Sequence, residues 1–404
     1  MGADPLSDVL RTVRLTGATF FNCACRAPWV AESPPEEIIL PMVLPGGEHL
    51  IAYHVVTEGC CFTNIIGEEP VPIEAGDVIV FTKGDPHVLS SGPGMRADPG
   101  PPRSLDGMTR SQLPFVISYG SDGPVSTKFV CGYLACDAQP FNPLLDNLPP
   151  VIKAGDPQGS DAGWLGQLIR VAMMESADKR AGGESVLAKL SELMFIEVIR
   201  RHLEALPPEQ AGWLAGLRDP FVGKALSLMH ARPGRNWTIE GLAKDVGLSR
   251  SVLAERFADL VGTPPMQYLA KWRMQIASGL LAGGSTSIAK VAAETGYGSE
   301  AAFSRAFKKM VGMPPSAWRH RARPGEYEMS PNPHAFSNVL SPSASGNSSI
   351  TREFQGHQML RGRNVPPTSP KCSSMKTTDA SETSGALSKN SMEFGSRCQL
   401  QGLL

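Results

Sequence analysis

The chain has 404 residues, with 38 Lys and Arg against 39 Asp and Glu, a net charge of −1, and 42% apolar residues. That length suits two or three domains with separate cores, and the charge is unevenly spread. Between Pro220 and Pro324 stand 15 Lys and Arg against 6 Asp and Glu, about +9, which leaves 23 basic and 33 acidic residues, about −10, elsewhere. A basic block inside an acidic chain points to a nucleic-acid surface attached to something else. The longest apolar runs, such as DVIVF and FIEVI, fall far short of the ~20 residues of a membrane helix. The N-terminal MGADPLSDVLRTV lacks the basic and then apolar regions of a secretion signal, so the expected location is the cytoplasm, with no membrane partner.

Residues 1 to about 150 read as all-β. HLIAYHVVTEGCCFTNII, EPVPIEAGDVIVFTKGDPHVL and TKFVCGYLAC are short β-branched or aromatic segments punctuated by Gly, Pro and Asp, the pattern of a barrel or sandwich. Residues 90–113 read as a long loop. The eight cysteines contain no C-x-x-C pair. Cys23 and Cys25 read as buried small apolar groups, with metal binding or redox sensing as the alternative.

From residue 161 the period changes to that of helices. Trp164, Leu165, Leu168, Ile169 and Ala172 share one helical face, and a second helix turns Val186, Leu187, Leu190, Leu193, Met194, Val198 and Leu203 inward,. This pair over 151–219 reads as a connector that either forms a dimer interface or packs onto the barrel. Residues 220–324 read as helical throughout. Residues 325–404 are Ser, Pro, Thr and Asn without a period and read as a disordered tail.

Inside the helical block the sequence repeats itself. Leu242, Ala243 and Gly247 correspond to Val291, Ala292 and Gly296; Ser249, Leu253 and Phe257 to Ser299, Phe303 and Phe307; Gly262, Pro264 and Pro265 to Gly312, Pro314 and Pro315. Each copy spells a short helix, a glycine turn and a Ser-capped second helix, which is the helix-turn-helix. Thr238 is expected to cap the first short helix. In the first copy Val252, Leu253 and Phe257 are expected inward, with Arg250, Ser251, Ala254 and Glu255 outward. PPMQYLAKWRMQIASGLLAGG reads as a linker helix of about four turns, long enough to set two units on successive major-groove faces.

Residues 220–322, with AKWRMQIASGLL, VAAETGYGSEAAFSRAFKK and GMPPSAWR, resemble the C-terminal DNA-binding domain of AraC-family transcription regulators. The resemblance implies base-reading faces at Arg250, Ser251, Ala254 and Glu255, and at Glu300, Ala301, Ser304 and Arg305. Lys271, Arg273, Ser299 and Lys308 complete the expected DNA-binding set, Lys308 on the phosphate side. Glu255 can accept from cytosine N4 or repel phosphate; Arg305 can read guanine or form an ion pair with Glu300 or Glu294. The implied partners are promoter DNA, an effector small molecule of unknown identity, a second copy of the chain, and RNA polymerase where the protein activates.

Gly76, Asp77, Gly84 and His87 in EAGDVIVFTKGDPHVL resemble the second signature of cupin barrels. Trp29, Tyr53, His54, Phe81 and His87 are the expected lining of a sensor pocket in the barrel mouth; a barrel packed solid, used only for dimerisation, is the alternative. The rival function is a metal-dependent cupin enzyme, an oxygenase or isomerase. His54 and Glu58 offer ligands, the His-x-His pair of that class is missing, and His49 is wrongly spaced, so no cofactor and no catalytic residue is expected. The expected fold is α+β and multidomain: a cupin-like β-barrel over 1–150, a helical connector, an all-α double helix-turn-helix and the tail.

Overall fold

Short strands between glycine and proline turns form two facing sheets in the computed structural model, which describes residues 4–44, 46–97, 115–120, 123–155, 163–178, 180–207 and 210–322. The predicted tail over 325–404 and residues 98–113 of the predicted loop lie outside them. After helix α1 (Pro5–Thr12) come β1 (Thr16–Cys25), β2 (Val30–Ser33), α2 (Glu36–Val43), β3 (His49–Glu58), β4 (Cys60–Ile65), β5 (Val71–Glu74), β6 (Val78–Phe81), β7 (His87–Ser90), β8 (Phe115–Tyr119), β9 (Thr127–Cys136), α3 (Pro143–Asn147) and β10 (Val151–Ala154). One sheet has six strands in the order β10-β6-β3-β9-β1-β8, the other four in the order β2-β7-β4-β5. The β region thus runs to Ala154, slightly past residue 150, because β10 pairs antiparallel with β6.

Strand periodicity gives the larger sheet two buried faces. Along β3, Leu50, Ala52 and Val56 point between the sheets, while Ile51, Tyr53 and Val55 point to the opposite side. That second face is covered by α4 (Trp164–Asp178) and α5 (Gly183–Ala205). Leu187, Leu190, Met194 and Val198 of α5 are buried there as the pattern predicts. Val186 and Leu193 are instead exposed, with Phe195 and Ile199 buried in their place: the stripe that meets the sheet runs 187-190-194-198, and Val186 and Leu193 stand at its outer edge. On α4, Leu165, Leu168 and Ala172 are buried, but Trp164 is 52% and Met174 61% exposed. The connector therefore packs onto the barrel and keeps an apolar outer face. Its seat is close: Gly17 of β1 lies so near the backbone of Ala188 that a Cβ would stand 2.5 Å from that carbonyl oxygen.

The C-terminal region comprises α6 (Trp213–Arg218), α7 (Pro220–Ala231), α8 (Ile239–Val246), α9 (Arg250–Val261), α10 (Pro265–Ala282), α11 (Ile288–Glu294), α12 (Glu300–Val311) and α13 (Pro315–Ala322). Its first half shares one hydrophobic core with α1, α3, α5 and the outer face of the sheet. Tyr268 of α10 is the hub. Trp213 Nε1 donates to its hydroxyl at 2.9 Å, His230 Nε2 lies 2.8 Å from it, and Phe141 meets it edge-on. The second half has a separate core built on Phe303, Phe307, Leu281 and Trp318.

Candidate functional site

Each helix-turn-helix forms through its own local signals. Thr238 Oγ1 accepts from Gly241 N at 3.1 Å to open α8, and Gly247 closes it at φ 89°, where a side chain would be strained,. Ser249 caps α9 by accepting from Val252 N, and Ser299 caps α12 by accepting from Ala302 N at 3.1 Å. α10 is 18 residues, one turn longer than expected and about 27 Å at 1.5 Å per residue.

The two outward faces differ in how their charges are paired. On α9, Arg250, Ser251 and Glu255 are exposed, as is Val252 at 46%. Val252 was expected inward; one residue before the buried Leu253, it has turned about 100° away from the core. Arg250 is paired with Glu240 at 3.1 Å, and Arg256 is held by Asp219. On α12, Glu300, Ala301, Arg305 and Lys308 are exposed and Ser304 half-buried. Among the described residues none of Glu300, Arg305 and Lys308 forms an ion pair; Glu294, the alternative partner for Arg305, lies 3.9 Å from Lys290.

Two expected DNA contacts are engaged inside the protein. Arg273 donates from Nε to Pro233 O at 2.7 Å and from Nη2 to Arg235 O at 2.8 Å. Lys271 Nζ lies 5.5 Å from the ring centre of Phe141. Both sit on α10, where Arg273 bonds carbonyls before α8 and lies against Gly296 in the turn before α12, and Lys271 meets an aromatic face. Arg273 and Lys271 fix the linker helix.

The barrel holds a pocket of about 60 Å³ that opens to solvent. His54 and His87 line it together with Phe21, Cys23, Glu32, Tyr119, Phe129, Cys131 and Tyr133. Three of the five expected lining residues are not in its wall. Tyr53 points the other way, its hydroxyl 2.7 Å from Ser191 Oγ on α5, because neighbours on a strand face opposite sides. Phe81 stacks behind His87 at 3.8 Å, and Trp29 stacks on Phe129 at 5.7 Å, so both back the wall rather than form it. The same alternation could have found what was missed: Phe129, Cys131 and Tyr133 on β9, and Phe21 and Cys23 on β1, are alternate residues of one face.

Burial lowers His87 to about 4 and, with the neighbouring His87, holds His54 well below the ordinary histidine range. Both rings are neutral at pH 7, with His54 Nε2 2.8 Å from His87 Nε2. A metal site would need a third donor. Glu58 pairs with Lys128 at 2.9 Å, and His49 is held by Glu36 and by Thr82 O. Among the described residues no group of three His, Cys, Asp or Glu converges, so this donor set does not fit a cupin metal. Cys23 is raised well above the ordinary thiol range, first by its hydrogen bond with Cys131 and then by burial, while burial pushes Cys25 up to about 12. These are protonated thiols, not thiolate nucleophiles or ready metal ligands.

A two-sheet barrel joined to two capped helix-turn-helix units on one linker helix defines a DNA-binding regulator with an attached second module. Comparison with known proteins agrees. Residues 4–204 match the family described as Cupin, and residues 242–321 the family described as Helix-turn-helix domain. A Streptomyces antibioticus protein described as an AraC-like transcription regulator is 32% identical over 80% of this chain and 100% of its own length. A like-named Streptomyces lividans protein is 31% identical over 78% and 98%. The HTH-type transcriptional regulator AlkR of Acinetobacter baylyi is 25% identical over 79% and 100%. The chain belongs to the AraC-like transcription regulators. No described helix is long and apolar enough to cross a membrane.

Proposed function

We propose that this regulator acts in the cytoplasm on promoter DNA, reading bases chiefly with α12 and less with α9, under control of a small molecule held in the barrel. The division of labour would follow the expected domains: sensor over 1–150, connector over 151–219, DNA-binding domain over 220–324. One observation carries the reading: Arg305 is exposed on the outward face of a Ser-capped helix and lacks an ion-pair partner among the described residues, so its fork is available to guanine O6 and N7. Arg250, Ser251 and Glu255 would supply a second, weaker face, with Ser299, Glu300 and Ser304 flanking Arg305 and Lys308 on the phosphate side. Gel-shift competition against the gene's own upstream DNA tests this; a complex displaced equally well by scrambled DNA would sink it.

The exposed apolar face of α4 and α5, with Trp164, Val171 and Met174 on one helix and Val186 and Leu193 on the other, supports a homodimer. Sedimentation at micromolar concentration should show two chains, and Trp164→Glu with Leu193→Glu should give one. As an activator the bound dimer would contact RNA polymerase.

A further inference from the structure

The hydrogen bonds around the two pocket histidines determine where their protons are. His87 Nδ1 lies 2.9 Å from Asp85 O. A carbonyl can only accept, so this nitrogen carries the hydrogen, and in a neutral ring His87 Nε2 is left as a bare acceptor. His54 Nε2, 2.8 Å away, must then be the donor. It follows that His54 Nδ1 is a lone pair. That atom is buried and has no hydrogen-bond partner among the described residues. An unpaired buried acceptor is unfavourable by about 1–3 kcal/mol; no water-sized group reaches Nδ1 as the ring stands, so a donor in the pocket relieves it once the His54 ring shifts towards that donor.

The rest of the wall limits what can bring one. Phe21, Phe129 and Tyr119 are aromatic, and Ile39, Leu89 and Ile117 aliphatic. Among the described residues Glu32 is the one charged residue of the lining, and its carboxylate is held by Arg96 at 2.7 Å. No Lys or Arg among the described residues lines the pocket, so a carboxylate or phosphate entering it would lose water without gaining a cation from them,. An ammonium would meet a carboxylate that is already paired. We propose that this pocket takes an uncharged molecule about one aromatic ring in size, whose hydroxyl or N–H group donates to His54 Nδ1. The assignment rests on the reading of the barrel as a sensor, and narrows it to phenol-like or alcohol-like effectors.

Calorimetric titration of the full chain with 4-methylphenol, toluene, benzoate and benzylammonium tests it. The phenol should bind about tenfold or more tightly than toluene, which has the ring and lacks the donor, and both charged probes should bind more weakly than the phenol. In the double variant His54→Leu, His87→Leu the phenol's advantage should disappear. Because replacing two buried rings can unfold the barrel, the unaltered protein supplies a second readout. Long-range proton–nitrogen spectra should show His54 Nδ1 as an unprotonated nitrogen that moves on adding 4-methylphenol and stays on adding toluene. Equal binding of phenol and toluene, or tighter binding of benzoate, would overturn the proposal and leave the sensor reading standing, since the pocket would still be taking ligands. If none of the four probes binds, the sensor reading falls with it.

Discussion

The two helix-turn-helix units open and close with the same residues, Ser249 and Ser299, Gly262 and Gly312, yet their cores end in different places. Phe257 belongs to a core that continues through Tyr268 and Trp213 into α1 and the outer face of the barrel sheet. Phe307, its counterpart, belongs to a small core shared with Trp318 and with Met274, Ala277 and Leu281 of the linker's far half. The flanks make the difference. α7 presses on α1 and α6, whereas the second unit is closed by its own short helix α13. Duplication has copied the caps and turns without copying the energetics: one unit is built into the barrel, and the other hangs from the linker with Arg305 and Lys308 lacking an ion pair among the described residues.

The largest test of that contrast is a matched pair. Phe257→Ala and Phe307→Ala each remove a fully buried ring and should each destabilise by about 3–5 kcal/mol. Phe257→Ala should lower the melting of barrel and first unit together. Phe307→Ala should leave the barrel's melting alone and speed amide exchange only within residues 274–322. Equal loss of barrel stability from both would erase the distinction.

Acid sharpens it next. His230 is stacked on Trp272 and its pKa is lowered by burial to about 3. A histidine depressed in the folded state gives stability that is complete above the unfolded value near 6.5 and is lost as the pH falls towards 3, because only the unfolded chain takes the proton. At pH 5 the loss from His230 is about 2 kcal/mol. Urea titrations at pH 7 and pH 5 should show it, and His230→Phe should remove that share of the slope. His54 and His87 add the same sign of dependence in the barrel. The second unit buries no histidine among its described residues, so its exchange protection should hold.

DNA binding gives the third and fourth contrasts. Arg305→Ala should weaken specific binding tenfold or more, through the loss of about 1–3 kcal/mol of discrimination, with preference relaxed at one base pair. Arg250→Ala should do less, since Glu240 already holds that guanidinium. If Arg305→Ala weakens cognate and scrambled DNA alike, Arg305 grips phosphate. Smallest of all, Lys308→Ala should weaken both DNAs equally and lower the salt slope by about one unit.

What was legible in the sequence follows the range of the forces involved. Caps, glycine stops and the period of α12 are local, and Thr238, Gly247, Ser249 and Ser299 sit where their spacing indicates. The two sheets and the covering helices could be read as classes. The partners of long polar side chains could not: Arg273 reaches carbonyls about 40 residues away along the chain, and Lys271 meets a ring in the segment before α3. Tyr53 and His54 were both readable as pocket residues only if strand alternation was ignored. Val252 beside Leu253 is the same error at helical period, and in both cases the neighbour already buried determines the direction of the other.

Gly17 has a mechanical meaning beyond close packing. β1 touches the pocket at Phe21 and Cys23 and carries the connector by three contacts at two other residues: Gly17 under Ala188, Gly17 N donating to Glu192 Oε1 at 3.3 Å, and Asn22 Nδ2 donating to Ser176 Oγ at 2.7 Å. With no side chain at Gly17 there is no cushion between strand and helix, and close-packed interiors yield very little. The strand is thus a direct mechanical link, with one register shift between Ala18 and Phe20 along it. A displacement of β1 at the pocket wall would press on α4 and α5 with no side chain between, under the apolar face from which Trp164 and Leu193 project.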